Sequence, residues 1–252
     1  MTQKEYISKE AWSKILIFLK GVKSIYLGKE NKCKVFMEAV YWMMRTGAQW
    51  RELPYKYGNW NTIFQRFNAW SKKNIWGDFH SFCIQDPDLE SIMIDATIIR
   101  AHACSSGYKK NGQEAEGLGR SKGGFTSKIH AKVDALGNPL QFINTSGQRN
   151  DITQAEALTH GAKDCNVLGD KGYDSNSFRL NLQNKGCTVI IPGKSNRKVP
   201  IEYDKDLYKE RHLVECLFSK IKQFRRIFSR FDKSMRNFMS FLSFAGAILW
   251  LR

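Results

Sequence analysis

Apolar residues recur every three to four positions over 9–20, where Trp12, Ile15, Leu16 and Leu19 share one side. That spacing predicts an amphipathic helix. A second is predicted over 33–46, with Val35, Phe36, Ala39, Val40, Trp42 and Met43 inward and Gly47 as its stop. A turn-rich segment follows (51–58), and Asn59 or Asn61 can then cap a third helix running to about Lys73. Its apolar stripe is Trp60, Ile63, Phe64, Phe67 and Trp70, with Arg66, Lys72 and Lys73 mostly off the stripe.

From about residue 88 the period changes. Residues 91–95 and 165–169 are short apolar runs, and 125–133 and 140–144 form a predicted hairpin about Asp134–Asn138. Residues 152–158 and 175–184 read as helices, 188–191 as a strand before Pro192. Polar loops are expected over 104–124 and 193–204. A helix is expected over 206–227 and an apolar one over 235–250. The apolar stretch 238–251 is short for a membrane span and contains Ser240 and Ser243, so it reads as a core helix. The change of period divides the chain into an all-helical part, 1–82, and an α/β part, 83–252.

Composition narrows the function. The net charge is +16. Residues 1–82 carry 14 basic against 6 acidic side chains, residues 203–252 carry 11 against 5, and the middle is nearly neutral. Two basic ends around a neutral middle fit a grip on a polyanion, with nucleic acid favoured over a membrane surface. The six cysteines form no CxxC pair or Cys/His cluster, which argues against zinc. The first residues, Met-Thr-Gln-Lys-Glu, open no apolar leader, so a cytoplasmic protein with reduced thiols is expected.

Candidate chemistry rests on three carboxylates. Asp95 follows Ile92-Met93-Ile94, Asp170 follows Val167-Leu168-Gly169, and Glu215 lies on the 206–227 helix between Arg211 and Lys222. Taken singly, each has an ordinary structural role: turn, helix cap or surface ion pair. Together they suit hard Mg²⁺ or Mn²⁺ ions, two of which can stabilise both oxygens of an in-line displacement at phosphorus. Asp174 reads as a helix cap, Asp134 as a turn residue, and Asp151 as a cap that can also approach the site with Gln148 and Asn150. His130 is either structural, as a lone strand histidine usually is, or has a catalytic or DNA-facing role. Residues 219–236 hold seven Lys and Arg, among them Arg225 and Arg226, against Asp232 alone, with Phe224, Phe228 and Phe231 interleaved. This is either a solvated face or a basic surface along DNA.

The spacing Tyr208-x2-Arg211-x3-Glu215-x6-Lys222 now acquires a context. With Ile94-Asp-Ala-Thr-Ile-Ile-Arg-Ala-His102, Gly169-Asp-Lys-Gly-Tyr-Asp174, Gly119–His130, Arg45–Pro54 and Gly58-Asn-Trp-Asn61, it resembles bacterial insertion-sequence transposases of the DDE type, in the IS-five-like group, over nearly the whole chain. The resemblance implies an RNase H-like catalytic domain, a mixed sheet flanked by helices, behind a small helical DNA-binding domain. It implies Asp95, Asp170 and Glu215 as catalytic metal ligands for two Mg²⁺ (or Mn²⁺) ions, and Tyr208, Arg211 and Lys222 as DNA contacts. Arg66, Lys72, Lys73, Arg225 and Arg226 are further expected DNA contacts. It implies DNA with terminal inverted repeats and a target duplex as partners, a homodimer joining two ends, no membrane, and association with the nucleoid when bound. Two other functions stay open on sequence alone: a catalytically silent DNA-binding protein derived from a transposase, and a structure-specific DNA nuclease.

Overall fold

The computed structural model describes residues 5–106, 112, 114–121 and 124–252. In chain order the helices are α1 (Lys9–Gly21), α2 (Glu30–Thr46), α3 (Trp60–Lys72), α4 (Ile75–Cys83), α5 (Ala155–Leu158), α6 (Asn176–Asn184), α7 (Lys205–Tyr208), α8 (His212–Lys222), α9 (Arg225–Phe228) and α10 (Met235–Trp250). The strands that concern the site are β1 (Ser91–Ala101), β2 (Gly119–Ser121), β3 (Gly124–Val133), β4 (Pro139–Ser146), β5 (Asn166–Gly169) and β6 (Thr188–Ile190). The chain forms two compact units, residues 1–84 with 221–252, and residues 85–220.

The first unit is helical and aromatic. Ser8 caps α1 by accepting from Ala11 N–H, and Asn59 caps α3 by accepting from Asn61 and Thr62 N–H. Phe36, Phe67, Trp70 and Trp76 meet in edge and tilted pairs, and α10 adds Phe241, stacked on Phe67 at 4.5 Å, and Phe244. The reading that put 221–252 with the α/β part differs from this grouping. Ten of the sixteen α10 residues are buried, and a helix apolar on nearly every side must be surrounded. The α3 and α4 helices help to supply that cover, and a Cβ on Gly246 would stand only 2.6 Å from His80 Nε2. No described helix is long and apolar enough to cross a membrane.

The second unit is a mixed sheet. β4 and β2 pair with one edge of β3, β3 runs antiparallel to β1, and β5 and β6 continue parallel to β1. One face packs Ile92, Ile94 and Val167 against α5 and α6 through Ala155, Leu158, Phe178 and Leu182. Met93, Ile129, Ala131 and Val133 point to the other face and are fully buried. Val214 and Leu217 of α8 are buried as well, and Leu213 Cβ approaches the hairpin turn at Gly137. This is the RNase H-like arrangement, a mixed sheet with helices.

Three expectations change in detail. β1 continues to Ala101, because β3 keeps pairing with it as far as Arg100, so Asp95 sits within the strand rather than at its end. The helix expected over 206–227 is divided into α7, a 3-10 turn (Lys209–Arg211), α8 and α9. Phe224 is the break after α8: it is buried and extended, and carries no Gly or Pro signal. The loop expected over 104–124 lies partly outside the described residues, and β2 falls within its described part.

Candidate active site

The parallel ladder between β1 and β5 ends at Ile94 and Gly169. Asp95 and Asp170 are therefore the next residues on two adjacent strands. Beyond that point β5 turns into a 3-10 turn (Lys171–Tyr173), and Asp170 caps it by accepting from Gly172 N–H at 2.8 Å. A Cβ on Gly172 would lie 2.8 Å from Asp170 Oδ1, so only glycine leaves this carboxylate its place. Asp95 Oδ1 accepts from Ala96 N–H at 2.8 Å. Its Oδ2 accepts from Arg211 at 2.8 Å.

Arg211 also donates, through its other terminal nitrogen, to Glu215 one turn along. Tyr208, Lys209 and His212 all keep right-handed helical dihedrals, so α7, the 3-10 turn and α8 follow a nearly continuous helical path. That path brings Arg211 and Glu215 to Asp95. One guanidinium thus joins the first and third expected carboxylates, while ladder register joins the first and second. Burial pushes the Asp95 carboxyl above the usual carboxylate range and the nearby Asp170 charge adds to it, against the pull of Ala96 N–H and Arg211.

The donor set can be tested against a divalent ion. Asp95, Asp170 and Glu215 offer hard oxygen donors of the kind Mg²⁺ and Mn²⁺ take. Among the described residues no three such side chains already stand in metal-binding geometry. The guanidinium between Asp95 and Glu215 holds the position of a positive charge, so the chemistry fits a cation that shares or replaces it.

Several residues around the site were undervalued by sequence reasoning. Asp151 does not cap a helix with its side chain; its Oδ1 accepts from Lys128 Nζ at 2.9 Å, and its Oδ2 stands 3.6 Å from the Cβ position of Gly172. Tyr173 is fully buried, and burial followed by the charges of Asp151, Asp95 and Asp170 raises its pKa. His130 is fully buried rather than DNA-facing. Its Nε2 pairs with Thr145 Oγ1 at 2.8 Å, and burial lowers its pKa to about 4, which keeps it neutral at pH 7. Asp174 does not cap α6 either; Arg179, Arg197 and the Lys194 N–H all donate to it. The faint signals in sequence were the polar pair Asn150-Asp151 after a strand, and Asp174 five residues before Arg179.

Two family models match. Residues 86–250 match the transposase DDE domain. The chain belongs to the DDE transposase family. Residues 7–80 match the model for a transposase of the IS4/5 family. The transposase is 40% identical over 130 residues to a Brucella ovis protein named as a transposase for insertion sequence element IS6501, covering 51% of this chain and all of that one. It is 30% identical over 119 residues to a Burkholderia cepacia protein named as a transposase for element IS402, covering 42% of this chain and 54% of that one. Among solved structures, the piggyBac transposase synaptic complex with hairpin DNA aligns at 15% identity and a TM-score of 0.43, over 75% of this chain and 48% of that one. The family function is DNA transposition.

The residues expected to contact DNA separate into two groups. Tyr208 is half-buried, with Tyr203 edge-on at 5.4 Å, and burial raises its pKa. Lys222 is half-buried at the end of α8, and burial lowers its pKa. Lys72 and Arg225 are exposed. Arg66, in contrast, donates to Leu27 C=O at 3.1 Å and lies over the rings of Phe36 and Trp70, and Lys73 donates to Ser24 C=O. These two tie α3 to the segment between α1 and α2. Arg226 corrects the expectation of a DNA contact most sharply. It is only 4% exposed, grips Asp232 through two nitrogens at 2.9 and 3.0 Å, donates to Ala48 C=O, and lies over Trp50 and Phe241.

Proposed function

We propose that this chain is a transposase acting at the terminal inverted repeats of its insertion sequence, with Asp95, Asp170 and Glu215 as its catalytic carboxylates. The observation that carries the reading is the adjacency of Asp95 and Asp170 across the β1–β5 ladder, with Glu215 tied to Asp95 by Arg211. The three carboxylates would hold two Mg²⁺ or Mn²⁺ ions, which supply an acidified water and charge neutralisation at phosphorus. Water attack on a phosphodiester at the element end frees a 3′-hydroxyl, and that hydroxyl then attacks a target phosphodiester in line, joining to its 5′-phosphate as the target's own 3′-oxygen leaves. Arg211 and Tyr208, with Lys222 at the end of α8, are read as donors for the phosphates of the reacting strand. Arg211 released from Asp95 and Glu215 keeps five donors for such a phosphate.

The first unit reads the element end. Lys72, with exposed Asn61, Thr62 and Gln65 on the solvent side of α3, supports this role, and Arg225 adds an exposed cation. The working particle is a homodimer, since two ends must be joined in one event, and it acts in the cytoplasm on nucleoid DNA. The test is Mg²⁺-dependent cleavage and strand transfer on an oligonucleotide carrying the repeats that flank the gene. Asp95→Ala, Asp170→Ala and Glu215→Ala should each lower cleavage by more than about 100-fold, the upper end for losing a group that only supports a metal ligand. Cleavage that survives all three substitutions sinks the assignment. Cleavage without joining to target DNA makes the protein a nuclease.

A further inference from the structure

The segment between Ile191 and Asp204 has no regular secondary structure, yet one stretch of it is held firmly. Asp174 is only 4% exposed and lies just beyond the turn that carries Asp170. It accepts from Lys194 N–H at 2.8 Å, from Arg197 at 2.6 and 2.7 Å, and from Arg179 at 2.8 Å. Arg179 donates in turn to Ile191 C=O at 2.6 Å, where the segment begins. Arg197 N–H closes a turn onto Lys194 C=O at 3.1 Å. Residues 194–197 thus form a short arc, bonded to itself and fastened at both ends to one buried carboxylate. Burial alone would raise the Asp174 carboxyl, but these donors hold it far below the usual carboxylate range.

An arc fixed this way presents its tip in one place. Lys194, Ser195 and Asn196 line a cavity of about 370 Å³ together with Asp170, Lys171 and Gly172. All three tip residues and Lys171 are exposed. The cavity lining around Asp170 therefore includes two ammonium groups, from Lys171 and Lys194, a hydroxyl and an amide. Such donors suit a phosphodiester, which needs flanking cations to lie beside a carboxylate.

We propose that the arc 194–196, with Lys171, is a phosphate-binding site that seats the DNA backbone beside Asp170, and that Asp174 positions it through Arg197 and the Lys194 N–H. The proposal rests on the reading of Asp170 as part of the active site. Its test is a binding measurement in EDTA, where no cleavage interferes. The probe is a short fluorescein-labelled DNA duplex of mixed sequence, titrated with the full chain at several salt concentrations.

Lys194→Ala should weaken binding several-fold and make the slope of log K against log salt shallower by about 0.9, the change expected for one lost phosphate contact. Lys163→Ala, which removes a lysine paired with Asp164 at the opposite end of β5, should leave the slope at the wild-type value. Asp174→Asn should speed hydrogen exchange in 193–198 and reproduce the Lys194→Ala slope. Wild-type slope and affinity in Lys194→Ala overturn the proposal, whatever Asp174→Asn does. A reduced slope in Lys194→Ala with undiminished Mg²⁺-dependent cleavage by Asp170→Asn would remove the catalytic reading and leave the arc as a DNA contact. An unchanged slope with an inactive Asp170→Asn would remove the arc alone.

Discussion

Arg226 and Arg211 look alike in sequence: each is a basic residue in a helical stretch with an acid a few positions further on. In the fold they are opposites. Arg226 is 4% exposed, and its guanidinium is engaged by Asp232, Ala48 C=O and two aromatic rings. Arg211 has a 19% exposed side chain and bridges Asp95 to Glu215, whose side chain is 56% exposed. A fully enclosed arginine holds structure together, because moving it leaves a buried charge without a partner. An arginine between a partly buried carboxylate and an exposed one can be exchanged for another cation or turned towards a phosphate, because water reaches its Glu215 side.

The comparison can be broken most forcefully at Arg226. Arg226→Ala should destabilise the protein by about 3–5 kcal/mol, since Asp232 stays buried and unpaired. Urea unfolding measures this, and a loss below about 1 kcal/mol would place Arg226 in the same class as Arg211.

A buried group without a strong clasp sharpens the contrast. His130 faces Asp151 at 3.8 Å, Thr145 and, through Asp151, Lys128, and its pKa is lowered to about 4. The unfolded chain takes up the proton near pH 6.5 and the folded one only near 4. Stability is therefore full above about 6.5 and falls through that window by up to roughly 3 kcal/mol. His130→Gln keeps a partner for Thr145 and should flatten the fall, as read from thermal unfolding between pH 7 and 4.

The smallest stability effect belongs to Arg211. Arg211→Ala should change unfolding free energy by no more than about 2 kcal/mol, because Glu215 is exposed and only Asp95 loses a partner away from water, yet depress DNA cleavage strongly. A variant that loses several kcal/mol, or one that cleaves normally, would erase the distinction between the two arginines.

Much of this molecule was legible before its fold was seen. Helical spacing located α1, α2, α3, α6 and α10 within a few residues, and alternation located the β3–β4 hairpin. The carboxylates were legible because each stands after an apolar run or within a motif of fixed spacing. Less legible were features that depend on distant partners. The division at Phe224, the extension of β1 past Asp95 and the burial of Arg226 have no local signal, since each is settled by a neighbour elsewhere in the chain. The Asp174 clasp joins residues 5 to 23 positions away, a range at which side-chain chemistry in sequence says little about contact.

Sequence alone determined the residue types and the local periods: two basic ends, a change from helix to strand near residue 88, and three carboxylates of the right kind in a family-specific pattern. These follow from side-chain chemistry and from periods of 3.6 and 2, which are properties of short segments. Tertiary structure alone decided which charges are enclosed and which stay available. It set Asp95 beside Asp170 through ladder register, placed Arg211 between Asp95 and Glu215, and closed aromatic rings over Arg226. Burial and partnership arise only when segments far apart in the chain are packed together, and those two quantities separate a structural cation from a functional one.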